Sequence, residues 1–415
     1  LMKEDSFSHL ILRDTAFQKL MQNRIHNVLL IATPYDRFIM EEDGRVEEQI
    51  YFEYTSLNLS SPPRVTQVSD YSKAMEMLQE QSFDLIIAMP GVDISETFSF
   101  AKRVKILFSS IPYVVLTPFS RKVSNRLANE DFTGVDYVFS WLGNVDLLLA
   151  IVKLLEDKMN ALSDINEVGV QAILLVEDSV RFYSSVLPTI YKFLLSQSRN
   201  FATEALNDHE RMLRMRGRAK VLLARDYEEA MALYNKFGEN ILGVISDVSF
   251  KHKGKKDSKA GITLAKELLS RDPYLPIIVE SSEIENEAEV LAMKQTFLDK
   301  NSKKLPVDLG NAIRERFGFG DFIVRNPSTG EEIFRIHDLK EMQKMLYQIP
   351  DDSFFYHASY NEISRWLYSR ALFPIAEVAK HHHMTDVKEA SAIRALFLNV
   401  IVKYRRMKNR GVVAI

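Results

Sequence analysis

Short apolar runs recur along this chain, and between them apolar residues return every third or fourth position. The first runs are His26–Ile31, Arg64–Val68, Phe83–Ala88, Ile111–Thr117 and Val135–Ser140. A second series follows in the same order: Gln171–Val176, Ala219–Leu223, Ile241–Ser246, Leu275–Ser281 and Gln295–Lys300. Each series closes with an amphipathic helical stretch, Val145–Met159 and Leu305–Phe317. The chain therefore reads as an internal repeat of alternating strand and helix. Strands that are apolar on both faces, joined by helices, predict a parallel sheet covered on both sides. Right-handed crossovers supply both helical layers.

In such sheets chemistry gathers beyond the carboxyl ends of the strands. In the second series those ends carry Glu177 and Asp178, then Asp247, then Ser281, then Lys300. In the first series the same positions hold Ala32 and Thr33, Met89, Thr117 and Ser140. An aspartate at a strand end is more often a helix cap than a nucleophile, and one lysine after a strand says little. The whole set in order, in one copy and not in the other, is a stronger signal.

That set resembles the response-regulator receiver domain over residues 170–317, and the first copy resembles a degenerate pseudo-receiver. The implied fold class is α/β: two tandem flavodoxin-like, doubly wound parallel five-stranded sheets, then a mainly helical C-terminal region with a β-hairpin. The expected divisions are an N-terminal helical extension (1–24), a pseudo-receiver (25–160), a receiver (161–318) and the C-terminal region (319–415). The resemblance implies phosphoryl acceptance at Asp247, with Mg²⁺ held by Glu177, Asp178, Asp247 and the backbone carbonyl of Ser249. It also implies that Lys300 pairs with the acceptor and that Ser281 bonds the phosphoryl group once it arrives. Phe297 stands where many receivers carry a reporter aromatic. One departure is Asn301, where receivers usually have proline. Another is the basic stretch after Asp247, with Lys253, Lys255 and Lys256. It reads first as a solvated loop, and second as a lure for an anionic phosphodonor. The first copy, lacking carboxylates for a hard cation, is expected to serve as a docking or dimerisation surface.

Composition narrows the alternatives. The chain has 415 residues, 53 basic against 56 acidic, which gives no electrostatic case for nucleic acid or an anionic membrane as partner. Cysteine is absent, so disulfides, zinc–thiolate sites and thiol catalysis are excluded, and a cytoplasmic setting is the simplest. No apolar run approaches the length that spans a bilayer. Both strand-one-to-two connections are long: Glu41–Glu48 is acidic, and Phe201–Arg218 is helical in pattern and ends in arginines.

After residue 320, Asp321–Ile336 reads as a hairpin, Asp338 as a helix cap, and Val387–Met407 as a long amphipathic helix. His381–His383 lacks helical ligand spacing and reads as a solvated turn. The apolar end, Gly411–Ile415, reads as the edge of a longer polypeptide. The stretches Asn27–Asp36, Ala172–Ser184 and Ser364–Arg370 are similar to the N-terminal regulatory region of Bacteroidetes phosphoenolpyruvate synthase-like proteins, which carry a PEP/pyruvate-binding domain. The expectation is a phosphorelay control module rather than a catalyst, with any phosphoenolpyruvate synthase-like activity residing beyond residue 415. Expected partners are a histidine kinase or small phosphodonor, an output domain of the same parent chain, and a second copy in a homodimer. The alternatives are a scaffold of silent receiver folds and, last, a hydrolase using Asp247.

Overall fold

The computed structural model describes residues 19–41, 46–56, 59, 61–91, 94–118, 131–205, 207–381 and 387–409. The chain divides into two compact units. One holds residues 23–159 with 177–192; the other holds 1–22, 160–176 and 193–415.

The first unit is built on β1 (Asn27–Ile31), α1 (Pro34–Met40), α2 (Val46–Ser56), β2 (Arg64–Val68), α3 (Tyr71–Glu80), β3 (Leu85–Ala88), α4 (Ile94–Leu107), β4 (Tyr113–Pro118), β5 (Tyr137–Trp141) and most of α5 (Asp146–Ser163). Its strands form one parallel sheet in the order β2-β1-β3-β4-β5. β3, β4 and β5 are buried almost throughout, as expected of strands covered on both faces. Caps fix the helix starts. Thr33 accepts from Asp36 N–H and Asp70 from Lys73 N–H, each satisfying a first-turn donor. One side of the sheet closes over Phe98, Ala101, Val104, Tyr71 and Leu78.

The second unit begins with β6 (Ala172–Val176), followed by α6 (Val180–Thr203), α7 (Asp208–Arg216), β7 (Lys220–Ala224), α8 (Tyr227–Phe237) and β8 (Ile241–Asp247). β9 (Phe250–His252), β10 (Lys255–Asp257), α9 (Ala260–Arg271), β11 (Ile277–Ser281), α10 (Glu287–Ala292), β12 (Thr296–Asp299) and α11 (Leu305–Arg316) complete it. The sheet order is β12-β11-β8-β6-β7, all parallel. Both five-stranded sheets thus share the flavodoxin-like order that the resemblance implies. Gly243 in β8 is a packing requirement: a Cβ there would lie 2.1 Å from the Phe317 ring.

α6 is cut by the division, and its first half counts with the first unit. β5 is the edge strand of that unit's sheet. The Tyr183 hydroxyl donates to the Val138 carbonyl, and Ser140 N–H donates to Ser184 Oγ at 2.9 Å. The Phe139 and Tyr183 rings meet edge to face at 5.5 Å. Helix side chains therefore take up backbone groups that an edge strand would otherwise leave open.

The basic stretch after Asp247, read as a solvated loop, is instead an antiparallel hairpin. Its two-residue turn, Lys253 and Gly254, has positive φ at both positions (51° and 75°), as a type I′ hairpin turn demands. The Lys253 N–H is held by Glu228, and the His252 ring stacks on Tyr227 at 4.2 Å. Three-residue strands rich in lysine carry too little apolar alternation to be read as strands beforehand.

The C-terminal region comprises β13 (Phe322–Arg325), β14 (Glu332–Ile336), α12 (Leu339–Met345), α13 (Asp351–Ser359), α14 (Glu362–Ser369), α15 (Phe373–His381) and α16 (Ala390–Asn409). The hairpin and the Asp338 cap stand where the sequence places them. Arg370 is buried and holds this region together. Its guanidinium donates to the carbonyls of Gly318, Gly320 and Trp366 and lies over the Trp366 ring at 4.1 Å. Burial pushes its pKa down to about 9. Trp366 Nε1 donates to the Gly320 carbonyl at 3.1 Å. Most of the expected N-terminal extension (residues 1–18) and His382–His383 lie outside the described residues. Among the described residues no helix is long and apolar enough to cross a membrane.

Candidate functional site

β8 delivers Asp247 to the carboxyl edge of the second sheet, in register with Glu280 of β11. The chain leaves β6 at Val176, so Glu177 and Asp178 emerge at the same edge. Carboxylate oxygens of Glu177, Asp178 and Asp247 all lie within 4.8 Å of one another. Glu177 is buried and is oriented by Ser179 N–H, which donates to its Oε1 at 2.9 Å. Ser179 Oγ in turn accepts from Phe182 N–H at the start of α6. Three carboxylates this close repel one another unless positive charge joins them. Hard oxygen donors at such spacing could hold a divalent cation, so the residues present fit a hard divalent ion.

Lys300 follows β12, and its Nζ lies 2.9 Å from Asp247 Oδ1. The same oxygen accepts from Val248 N–H at 2.8 Å. Oδ1 is thus held by two donors, which fixes the orientation of the carboxylate. Both side chains are largely buried, at 12% and 14% exposure, so the pair is less screened than a surface ion pair.

Ser281 ends β11 and is buried. Its Oγ accepts from Glu283 N–H at 3.0 Å and from Asn286 Nδ2 at 3.1 Å. Asn286 is itself buried, and its Oδ1 accepts from Lys259 Nζ at 2.6 Å. Asn286 and Lys259 were not singled out by sequence reasoning. A buried amide in a short connection carries no spacing signal, and only the fold shows what it touches. Asn301, in place of the usual proline, bridges to the Ser282 carbonyl through its side chain at 3.1 Å. Phe297 is half-buried against the core of the second unit.

Two backbone features complete the edge. Gly261, the second residue of α9, lies against the end of β8; a Cβ there would meet the Asp247 carbonyl oxygen at 2.0 Å and Val248 Cα at 2.8 Å. Its N–H donates to the Val248 carbonyl at 2.8 Å. The Ser249 carbonyl accepts from Lys256 Nζ at 2.7 Å.

The equivalent edge of the first sheet has different chemistry. Thr33 is spent as a helix cap, Met89 is buried, Thr117 Oγ1 donates to the Phe139 carbonyl, and Ser140 N–H is engaged by Ser184. These positions supply no carboxylate and no ammonium.

No protein-family model matches this chain, and no curated protein does. Among solved structures it is similar to a probable two-component system response regulator/GGDEF domain protein, at 16% identity and a TM-score of 0.28. That match covers 70% of this chain and 97% of the other. A second protein of the same kind of description gives the same identity and TM-score, with 98% of its length covered. Likeness this distant carries no functional argument, and the fold assignment rests on strand order.

Proposed function

We propose that this chain is a phosphorelay regulatory module that accepts a phosphoryl group on Asp247. The observation that carries this reading is the cluster of Glu177, Asp178 and Asp247 within 4.8 Å, with Lys300 Nζ 2.9 Å from Asp247. Glu177, Asp178, Asp247 and the Ser249 carbonyl would hold Mg²⁺. A cation bound there would supply the positive charge that lets a carboxylate approach a phosphoryl group.

The remaining chemistry belongs to the side chains. An Asp247 carboxylate oxygen attacks phosphorus of a phosphohistidine or an acyl phosphate. The P–N or P–O bond to the donor breaks, and its electron pair leaves with the donor. Lys300 holds Asp247 in place and pairs with a phosphoryl oxygen of the product. Ser281 donates its hydroxyl hydrogen to a second phosphoryl oxygen, a bond made in the phosphorylated state alone. That difference is what allows phosphorylation to shift the population of the segment after β11. The donor would be a histidine kinase or a small phosphodonor. The controlled output would be a further part of the parent protein, of the phosphoenolpyruvate synthase-like kind on the sequence resemblance alone.

Intact-mass analysis after incubation with acetyl phosphate and Mg²⁺ tests the reading, with Asp247→Ala alongside. One added phosphate on the wild type, lost in the variant and lost with EDTA, is expected. No adduct on the wild type overturns it and leaves an interaction scaffold.

A further inference from the structure

The hairpin formed by β9 and β10 follows Asp247 closely in the chain and is held by the start of α8. Lys253 N–H is bound by Glu228, His252 stacks on Tyr227, and Phe250 is buried. Residues on its second strand alternate between its two faces, so Lys255 and Lys256 project oppositely. Lys256 folds back to the chain between β8 and β9 and donates from Nζ to the Ser249 carbonyl at 2.7 Å. That carbonyl is the backbone oxygen that the proposed metal site would use, two residues past Asp247.

We propose that Lys256 is a tethered monovalent competitor of the divalent cation: its ammonium and the metal contend for the Ser249 carbonyl, so metal occupancy and the position of this side chain are coupled. The inference rests on the reading of Glu177, Asp178, Asp247 and Ser249 as a metal site. An ammonium and a divalent ion sharing one carbonyl oxygen would stand a few ångströms apart, where like charges repel even in water. Binding of the ion therefore requires the ammonium to swing out, and the free energy of that displacement weakens the observed affinity. In return, a site rich in carboxylates keeps a positive charge beside it at low metal concentration. The hairpin would thereby set the metal concentration at which the module becomes ready for phosphorylation.

The test is a Mn²⁺ titration of the intact protein, with free Mn²⁺ read by electron paramagnetic resonance. It compares wild type with Lys256→Met and Lys255→Met, and takes Asp247→Asn as the site control. Lys255→Met removes the same charge from the other face of the same hairpin. The expected result is that Lys256→Met tightens binding by about tenfold, while Lys255→Met stays within about twofold of wild type. Equal affinities for wild type and Lys256→Met, or equal gains from both lysine variants, would overturn the competition while leaving the metal site standing. Binding that is absent from every variant, or unaltered by Asp247→Asn, would remove the metal site itself and the inference with it.

Discussion

At the scale of single residues, Gly261 shows how tightly the backbone under Asp247 is held. The atoms a Cβ would strike are the Asp247 carbonyl oxygen and Val248 Cα, main-chain atoms that cannot rotate away. Gly261→Ala is therefore expected to push α9 off the end of β8. The cost should be about 1–3 kcal/mol of stability, the range of overpacked sites. Urea unfolding would show a lowered midpoint with the slope unchanged, and acetyl phosphate would label the variant more slowly than wild type. A variant with wild-type stability and labelling would show that the contact relaxes freely. At this scale the sequence was partly legible. Glu177, Asp178, Asp247, Ser281 and Lys300 could be picked out because strand ends are countable from apolar runs. Asn286 and Lys259 could not, and Lys256 stood out only as part of a basic stretch, because their partners are set by a hairpin and by short connections with no period of their own.

Among elements, the strand starts are tied as firmly as the strand ends. Asp136, just before β5, accepts from Lys105 Nζ and from Tyr113 N–H, each at 2.8 Å, and Lys158 lies 3.7 Å away. Burial works to raise its pKa, but Lys105, the Tyr113 N–H and Lys158 outweigh it and hold the carboxyl below the ordinary aspartate range. A depressed folded-state pKa means that the contribution to stability is fully present above the unfolded value. It is lost as pH falls through the folded one. Asp136→Asn should therefore be less stable than wild type at neutral pH, with the difference shrinking as the pH drops below the ordinary aspartate range. Thermal melts at a series of pH values would read this, and a difference independent of pH would refute it. Helix α6 marks where sequence reasoning stopped at this scale. The sequence places a helical stretch at Phe201–Arg218 in this connection, and the structure has α6 over Val180–Thr203 with α7 after it. That the first half of α6 would cap the edge of β5 was not legible, because a helix following a strand is ordinarily assigned to that strand's own sheet.

Across the whole molecule, two sheets of the same strand order differ in what their carboxyl edges carry. Parallel pairing and burial were legible in hydrophobic patterning, which both copies keep, and the strand order in the resemblance to receivers. The difference came from a handful of polar positions, which patterning ignores. Strand order and edge chemistry are thus encoded in separate sets of residues, so two sheets of one order carry different edges. The C-terminal region was legible as a hairpin and helices. Its buried Arg370, bonded to the carbonyls of Gly318 and Gly320, was not, since an arginine in a helical stretch reads as solvated.

The chain has two tryptophans, and they fall one to each unit. Trp141 ends β5 with 8% of its surface exposed, and Trp366 is buried beneath Arg370. Each is an optical probe of its own half, and Trp141→Phe and Trp366→Phe separate the two signals. Heating each single-tryptophan protein therefore follows the packing around one indole at a time, the edge strand β5 in one case and the carbonyls gathered by Arg370 in the other. Arg370→Met should lower the midpoint read from Trp366, since it takes the guanidinium donor away from three carbonyls, and an unchanged midpoint would show that Arg370 is dispensable there.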